Sequence, residues 1–214
     1  MARGRAPGYE EQREHILTQA AELFARAGYA ATSMNEVAQA CGLSKPALYH
    51  YFKDKNALLL EICEAHITRL IALVDEVDQL ALAAEPRLRA LVERFVQEYA
   101  HAVNEHRVLT EDVRFLNEAD QQRILNGERQ VVNSVAQAVQ ELRPQADHDG
   151  LTKALTMLLF GMMNWMFTWL KPDGVLSYAS MAPVVADLFL GGLGAVQTPG
   201  DGATKGLAKN YLTS

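Results

Sequence analysis

The sequence predicts an all-α protein, and two observations carry that prediction. No glycine occurs between Gly42 and Gly127, and the residues in that interval are mostly Ala, Leu, Glu, Arg and Gln, which are strong helix formers. Alternating β-branched runs joined by Asn-Gly or Asp-Gly, which mark β-hairpins, are missing. Because 49% of the 214 residues are apolar, the chain can bury a sizeable core, which excludes a disordered protein.

The first two helices are predicted from apolar spacing and from the residues that cap them. Residues Tyr9–Ala27 have apolar side chains at i, i+3 and i+4, and Gly28 supplies a stop signal. A second, short helix begins at Thr32-Ser33, where Ser33 and Glu36 have the spacing of a capping box. Gly42 ends this helix.

The third and fourth helices follow after short breaks. Ser44 can cap a third helix over Pro46–Phe52, with the proline in the first turn, where a missing N–H costs nothing. Asp54 can cap a fourth helix from Lys55 through Leu70 toward Val77. The later helices are expected over Pro86–Glu105, part of Thr110–Asn117, Asp120–Leu142, Leu151–Leu170 and Tyr178–Leu190.

Charge is distributed unevenly along the chain. The whole chain has 20 Lys or Arg against 26 Asp or Glu, a net charge of −6, which argues against a surface made for polyanions. Residues 1–60 hold 7 basic and 6 acidic residues, whereas residues 61–214 hold 13 and 20. We therefore expect three segments: a head over 1–60 that permits nucleic-acid binding, an acidic body over 61–197, and a disordered tail over 198–214 that is rich in Pro and Gly.

Several function classes are disfavoured. Cys41 and Cys63 make no disulfide framework, and small buried hydrophobes are the favoured interpretation over a redox pair. The longest apolar stretch, Met157–Leu170, has 14 residues where a membrane span needs about 20, so we expect a cytoplasmic protein without a membrane partner. No nucleophile elbow, phosphate-binding glycine loop or His-Glu-x-x-His occurs, so no enzyme, cofactor or metal site is predicted.

The second and third helices, joined by a tight turn over residues 40–43, form a helix-turn-helix. In such a unit the second helix enters the DNA major groove. An ordinary helical hairpin is the alternative, but lysine can donate to guanine and tyrosine hydroxyls can donate to phosphate. The polar residues that favour DNA binding are Ser44, Lys45, Tyr49, His50 and Tyr51.

Residues Gly28–Ala38, Cys41–Lys45, Leu48–Phe52 and Lys55 extend this motif, and the whole stretch from Tyr9 to Leu60 resembles the N-terminal domain of TetR-family transcriptional regulators. The resemblance implies a three-helix DNA-binding head and a helical body for ligand binding and dimerisation. It also implies a homodimeric repressor that binds palindromic double-stranded operator DNA.

The resemblance also implies individual roles in the head. The residues matching Thr32 and Ser33 meet phosphate at a helix N-terminus, and the residue matching Lys55 clamps phosphate at the start of the fourth helix. Pro46 stands where many members have glycine and stiffens the start of the recognition helix. Arg3 and Arg5 could form a minor-groove arm, a disordered tail being the alternative. Leu48 and Phe52 pack beneath a groove-facing set of Ser44, Lys45, Ala47, Tyr49, His50 and Tyr51.

The last two predicted helices are apolar nearly all round, so each must be covered on more than one side. We expect them to close a four-helix bundle across a two-fold axis, a monomeric core being the alternative. The residues assigned to this dimer interface are Trp169, Met181, Val185, Leu188 and Phe189.

Arginines between the predicted fifth and seventh helices suggest a ligand site. Arg107 and Arg114 share a helical face if the segment is continuous, with Arg123 and Arg129 nearby. Solvated surface arginines are one interpretation; a cationic mouth for an anionic effector is the other. The apolar cavity behind such a mouth would be lined by Phe115, Phe160, Trp165 and Met166, and an acyl-CoA has the matching polarity.

A second resemblance concerns the effector. Residues Phe160–Gly174 and Ala182–Phe189 are similar to TetR-family regulators of fatty-acid and phenylacetate catabolism, which implies release from DNA by an acyl-CoA such as phenylacetyl-CoA. The alternative is a regulator of the same fold that senses hydrophobic cationic drugs and controls efflux. Acidic residues such as Glu111, Asp112 or Glu118 would then neutralise the cation.

Overall fold

Helices account for all regular structure in the residues that the computed structural model describes, 8–144, 150–171 and 174–196. No strand occurs among these residues, and the all-α prediction is confirmed. The helices are α1 Tyr9–Ala27, α2 Met34–Ala40, α3 Lys45–Tyr49, α4 Lys55–Gln79, α5 Ala84–His101, α6 Val103–Asp112, α7 Glu118–Leu142, α8 Leu151–Asn164 and α9 Tyr178–Leu193, with 3₁₀ helices at Val113–Phe115 and Met166–Thr168.

The chain forms two compact units. Unit 1 comprises the described parts of Met1–Leu70 and His101–Glu128, and unit 2 those of Ile71–Ala100 and Arg129–Ser214. The predicted boundary between residues 60 and 61 stays a prediction. The predicted tail over 198–214, and with it Arg3 and Arg5, lies outside the described residues.

The core of unit 1 is built on the apolar stripe of α1, which packs against α2 and α6. Ile16 and Phe24 of α1, Val37 of α2 and Leu48 of α3 are each at most 1% exposed. Burying an apolar side chain of this size contributes roughly 1.5–3 kcal/mol to folding. These buried contacts therefore fix α1, α2 and α3 against one another. The predicted bounds of α1 are confirmed.

Hydrogen-bonded caps start the short helices of unit 1. The Ser33 hydroxyl accepts from the Glu36 N–H at 3.3 Å, and Glu36 Oε2 accepts from the Ser33 N–H at 2.7 Å, which confirms the predicted capping box. The Ser33 hydroxyl and N–H together lower the pKa of Glu36. Asp54 Oδ1 accepts from the Ala57 N–H at 2.7 Å, as predicted for the start of α4.

Several predicted helix ends are wrong, including that of the third helix, which ends at Tyr49 instead of Phe52. The predicted helix over Pro86–Glu105 breaks at Ala102, whose φ of −120° and ψ of 44° leave the helical region, and α6 already begins at Val103. The predicted helix to Leu170 ends at Asn164 and continues as a 3₁₀ turn. No glycine or proline lies next to Ala102, so the local sequence gives no signal for the first break, whereas Gly161 lies within the last turn of α8.

Unit 2 combines an aromatic core with a buried arginine. Phe95 of α5 and Phe160 of α8 meet edge to face, with ring centroids 5.5 Å apart. Arg87 is 8% exposed and donates to Asp78 at 3.0 Å and to Glu141 at 3.3 Å. The guanidinium thereby joins α5 to the end of α4 and to α7 within unit 2.

Helices α8 and α9 carry a second apolar stripe that faces outward. On α9, residues 182, 185, 186, 189 and 193 are buried, while Val184 and Leu188 are 51% and 66% exposed. Along and just after α8, Leu158 and Trp165 are 64% and 60% exposed. We call the following set the outer stripe: Leu158, Met162, Trp165, Met181, Val184 and Leu188.

No helix of the described residues is long and apolar enough to cross a membrane.

Candidate nucleic-acid interface

A tight turn sets the angle between α2 and α3. Gly42 has a φ of +65°, a left-handed conformation that side chains disfavour, and the Leu43 N–H donates to the Ala38 carbonyl at 2.8 Å. Beneath the turn, Val37 and Leu48 have no exposed surface. The two helices are therefore held as a rigid helix-turn-helix, as the sequence predicted.

The outward edge of α3 is polar. Ser44 caps the helix by accepting from the Ala47 N–H at 3.3 Å, and Lys45 and His50 are exposed. Tyr49 is 44% exposed although its neighbour Leu48 is fully buried. The structure thus brings together one surface of predicted DNA contacts, which we call the recognition surface: Ser44, Lys45, Tyr49 and His50.

Two further predicted contacts flank this surface and are half-buried. Ala47 lies within α3, and Tyr51 follows it. The Tyr51 ring stacks on Tyr9 of α1, with centroids 4.8 Å apart and planes 23° apart. Tyr51 therefore packs α1 against the end of α3, and its ring has a structural role.

Thr32 and Ser33, which received the same predicted role at the start of α2, differ in exposure. Ser33 is exposed at the helix N-terminus, where a phosphate can approach. Thr32 is 2% exposed, and its hydroxyl donates to the Gly28 carbonyl at 3.0 Å. The Thr32 hydroxyl therefore closes the turn from inside and does not face a phosphate, while the predicted phosphate contact at this helix N-terminus stays a prediction.

Lys55 also points into the protein rather than toward solvent. Its ammonium donates to the carbonyl oxygens of Tyr29 at 2.7 Å and Thr32 at 2.7 Å, with the Ala30 carbonyl at 3.4 Å. Its Nζ lies 4.3 Å from the centre of the Tyr29 ring, within the range of a cation–π contact. The family resemblance assigned Lys55 to phosphate, and no local pattern in the sequence predicts this arrangement.

Tyr29 is a junction that the sequence analysis missed. Its hydroxyl donates to Asn56 Oδ1 at 2.6 Å, and its ring stacks on Phe115 with centroids 5.3 Å apart. Its backbone N–H donates to the carboxylate of Asp112 at the end of α6. Burial raises the pKa of Asp112, as does nearby Glu111, and the Tyr29 N–H opposes this shift. A Gly-Tyr pair after a helix gave no signal for these tertiary contacts.

A buried histidine pair joins α4 and α6 in unit 1. His66 Nε2 and His106 Nδ1 are 3.2 Å apart, and the two residues are 0% and 3% exposed. Burial raises the pKa of the nearby Cys63 thiol, which suits a packed thiol rather than a reactive one. Among the described residues, no three His, Cys, Asp or Glu side chains are grouped to hold a metal ion.

The predicted arginine face is not continuous. Because α6 ends at Asp112, the condition that placed Arg107 and Arg114 on one helical face is not met. Arg107 donates to Glu111 at 3.2 Å, and Arg123 donates to Glu64 at 2.6 Å. These are ordinary surface ion pairs, which contribute little to stability because solvent screens them.

The predicted ligand-site residues fall into separate groups. Arg114 and Phe115 lie in unit 1, with the guanidinium carbon 5.0 Å from the ring centre. Phe160 and Met166 lie in unit 2 and are 5% and 0% exposed, so they belong to its core. Trp165 is 60% exposed and belongs to the outer stripe rather than to an internal cavity.

A groove of about 280 Å³ lies between α4 and α7 in unit 2. Asp75 and Asp78 contribute carboxylates, Gln130 and Gln137 contribute amides, and Val74 is among its apolar residues. None of the predicted ligand residues lines this groove.

The predicted dimer residues divide between two faces. Leu188 and Trp169 are 66% and 48% exposed, and Met181 is half-buried. Val185 and Phe189 are 5% and 8% exposed in the single chain, so they pack the core of unit 2 and not an open face. The assignment of these two residues is corrected, because Val184, one position earlier, faces outward.

Comparison with known families decides what this arrangement is. The family model for bacterial regulatory proteins of the tetR family matches residues 16–62, and the model for a tetracyclin repressor-like C-terminal domain matches residues 81–193. The second match alone covers more than half of the chain. The chain belongs to the TetR family. TetR-family proteins are DNA-binding transcriptional regulators and not enzymes, so α2 and α3 are the helix-turn-helix of such a regulator.

Relatives of this TetR-family regulator extend the comparison to whole chains. A TetR-family regulator from Bordetella parapertussis is 34% identical, with a TM-score of 0.83 over 88% of this chain and 99% of that one. The structure of AibR in complex with isovaleryl coenzyme A and operator DNA is 26% identical, with a TM-score of 0.72 over 83% and 97%.

One curated relative matches over a shorter segment. The transcriptional activator FasR of Mycolicibacterium smegmatis is 34% identical over 110 residues, which are 51% of this chain and 50% of FasR. The match thus spans about half the length of that relative.

Proposed function

We propose that this TetR-family regulator is a ligand-responsive homodimeric repressor that binds a palindromic operator and is released by a small effector. The observation that carries the DNA-binding part is the recognition surface: polar side chains line the outward edge of α3, while Leu48 on the same helix is fully buried. A helix with one exposed polar side and one buried apolar side can enter the DNA major groove while its buried side stays packed against the rest of the fold.

The chemistry of the recognition surface suits duplex DNA. The Lys45 ammonium can donate to guanine O6 and N7, and the Tyr49 and Ser44 hydroxyls can donate to phosphate oxygens. Ser33 adds a helix N-terminus that favours an anion. Ala47 offers a methyl group for apolar contact with a thymine methyl.

Dimerisation is supported by the outer stripe and by the weak charge of the head. Leu158, Trp165, Val184 and Leu188 leave an apolar face on α8 and α9 that a second copy would cover. Residues 1–60 have a net charge of only +1, so a single head attracts DNA weakly. Two linked heads gain affinity through effective concentration, with half-sites about one helical turn apart or slightly more.

An acyl-CoA is the effector class that the comparisons favour. AibR, which is 26% identical over most of its length, has been crystallised with isovaleryl coenzyme A and operator DNA. In the present chain Arg114 lies against the partly exposed ring of Phe115, and its guanidinium can bind a phosphate.

The experiment begins with a 30-base-pair duplex enriched from a random library by the wild-type chain. Fluorescence anisotropy then follows release of that duplex by isovaleryl-CoA and phenylacetyl-CoA, with free coenzyme A as the control. We expect release by a thioester and not by coenzyme A alone, and weaker release from Arg114→Ala. Failure of both thioesters up to millimolar concentration would reject the acyl-CoA effector.

The groove in unit 2 favours a second candidate, a sensor of hydrophobic cations. Asp75 lies beside the apolar side chain of Val74, the pattern expected for an organic cation, whereas Asp78 is already paired with Arg87. Tetraphenylphosphonium added to the same assay tests this function. Release by the cation that is lost in Asp75→Asn, without release by either thioester, would replace the acyl-CoA proposal.

A further inference from the structure

Three carbonyl groups of the α1–α2 turn converge on one ammonium. Lys55 Nζ lies 2.7 Å from the Tyr29 oxygen, 2.7 Å from the Thr32 oxygen and 3.4 Å from the Ala30 oxygen. The turn that they belong to leads directly into Ser33, the cap of α2. Lys55 itself lies in the first turn of α4, so one side chain joins the start of α4 to the start of α2.

We propose that Lys55 is a positioning residue of the DNA-binding head, which fixes the α1–α2 turn and thereby the start of α2, and that it is not a phosphate contact. This inference rests on the proposed function only in that operator binding is its most sensitive readout. It departs from the role that the family resemblance assigned to Lys55.

The number of donors supports the inference. An ammonium has three N–H donors and no acceptor, and here three carbonyl oxygens surround it. A phosphate could be bound only by giving up one of these hydrogen bonds. The ring of Tyr29 covers a further side of the cation at 4.3 Å, so the site is already complete within the protein.

The same turn is also held from α6, which makes its position a property of several elements. Phe115 stacks on the Tyr29 ring at 5.3 Å, and the Asp112 carboxylate accepts from the Tyr29 N–H. Asp112 is 6% exposed. Both backbone groups of Tyr29 are therefore hydrogen-bonded to side chains. Its carbonyl accepts from Lys55, and its N–H donates to Asp112.

The salt dependence of DNA binding separates positioning from phosphate contact. Each lost phosphate contact reduces the slope of log K against log salt by about 0.9 on duplex DNA. The probe is the 30-base-pair duplex enriched by the wild-type chain. The proposed dimer carries two copies of Lys55, so the loss of one phosphate contact per head would lower the slope by about 1.8. We expect Lys55→Met to weaken binding at least tenfold at fixed salt while its slope falls by less than half of that amount. A fall of about 0.9 or more would overturn the inference.

Two further variants make the comparison sharper. Lys53→Met removes the same charge from an exposed position two residues away and measures the effect of charge alone. Lys55→Arg retains the charge and binds phosphate at least as well as lysine, but its planar fork cannot fill a site made of three converging carbonyls. We expect Lys55→Arg to bind weakly, like Lys55→Met; wild-type affinity for Lys55→Arg would contradict a positioning role.

A readout without DNA keeps this inference distinct from the proposed function. The Thr32 N–H donates to the Gly28 carbonyl at 3.2 Å within the turn, so its hydrogen exchange reports how well the turn is held. We expect exchange at Thr32 to be at least tenfold faster in Lys55→Met than in wild type, and unchanged in Lys53→Met. Unchanged exchange in Lys55→Met overturns the inference. If the wild-type chain enriches no duplex, only the proposed function fails.

Discussion

The recognition surface of unit 1 and the outer stripe of unit 2 are both exposed, yet they are positioned in different ways. The recognition surface lies on α3, which has only 5 residues, and α2 before it has 7. Helices this short are unstable alone, so side-chain caps and tertiary contacts must hold them. The outer stripe lies on α8 and α9, which have 14 and 16 residues and bury a full apolar face of their own.

The difference shows what each surface depends on. The polar surface depends on a few hydrogen bonds of defined geometry, at Ser33, Ser44 and Lys55. The apolar surface depends on area, because the buried apolar faces of α8 and α9 hold these helices in unit 2. One substitution of a cap should therefore disturb DNA binding more than dimerisation, whereas a charge placed in the stripe should do the reverse.

The largest effect is expected from a charge in the outer stripe. Leu188→Glu places a carboxylate where a second copy would cover it, which should raise the dimer dissociation constant by a factor of about 100 or more, roughly 3 kcal/mol. Because Leu188 is 66% exposed, the single chain should still fold. Analytical ultracentrifugation measures the constant.

Ala179→Glu is the matched control, since it adds the same charge to an exposed position of α9 away from the stripe. A dimer of Leu188→Glu as tight as that of Ala179→Glu would show that the stripe is not the dimer interface.

Substitutions on the recognition surface should come next. Lys45→Ala and Tyr49→Ala should each weaken operator binding by about 1–3 kcal/mol and leave the dimer intact. Anisotropy with the enriched duplex gives the affinity. Lys153→Ala, which removes an exposed lysine from α8, is the control for charge. Wild-type affinity in both recognition variants would refute the assignment of this surface.

Removing the N-cap of α2 or of α9 should have a smaller and more selective effect on stability and DNA binding. Ser33→Ala and Ser177→Ala each remove a hydroxyl that accepts a helix N–H, at a cost of about 0.5–2 kcal/mol in the free energy of unfolding. Urea denaturation should show comparable losses. Only Ser33→Ala should also weaken DNA binding, and equal affinities for the two variants would contradict the proposed dependence of α2 on its cap.

The smallest effect concerns pH. The folded pKa of Asp112 is raised, chiefly by burial, so the folded state holds the proton more tightly than the unfolded state. Stability from this group is therefore greatest at low pH and declines as pH rises through its unfolded and then its folded pKa. Asn keeps an acceptor for the Tyr29 N–H without the charge.

We therefore expect Asp112→Asn to melt no lower than wild type at pH 7, with the difference between the two shifting in favour of wild type as pH falls toward 4. Calorimetry across this range measures it. Parallel pH profiles for the two proteins would show that Asp112 does not titrate differently on folding.

Local signals made much of the fold predictable. The helix α1 and the Ser33–Glu36 capping box were predicted from residues at most four apart, because these interactions are made within one helical turn. The buried positions Leu48 and Phe52 agree with what the family resemblance implied for the head. The recognition surface was predictable from the polar side chains around α3 and from the family resemblance, because both are carried by a short continuous stretch of sequence.

Tertiary contacts account for what the sequence could not predict. In the sequence Lys55 looks like any surface lysine. Only the folded turn brings together the three carbonyl oxygens that accept hydrogen bonds from it. Thr32 differs from Ser33 in burial although both are small hydroxyl residues. Val184 and Val185 have the same side chain, and only the packing of α9 leaves Val184 exposed and Val185 buried.

The division of α3 into a packed side and a free side has a consequence for how binding preference can change. Leu48 is fully buried, so substitutions there are paid for in stability. Lys45, Tyr49 and His50 are exposed, with no part in the core. Their identities can vary while the scaffold stays the same, so new operator sequences are open to this chain through single substitutions, and a designer who wishes to redirect it should begin with those three positions.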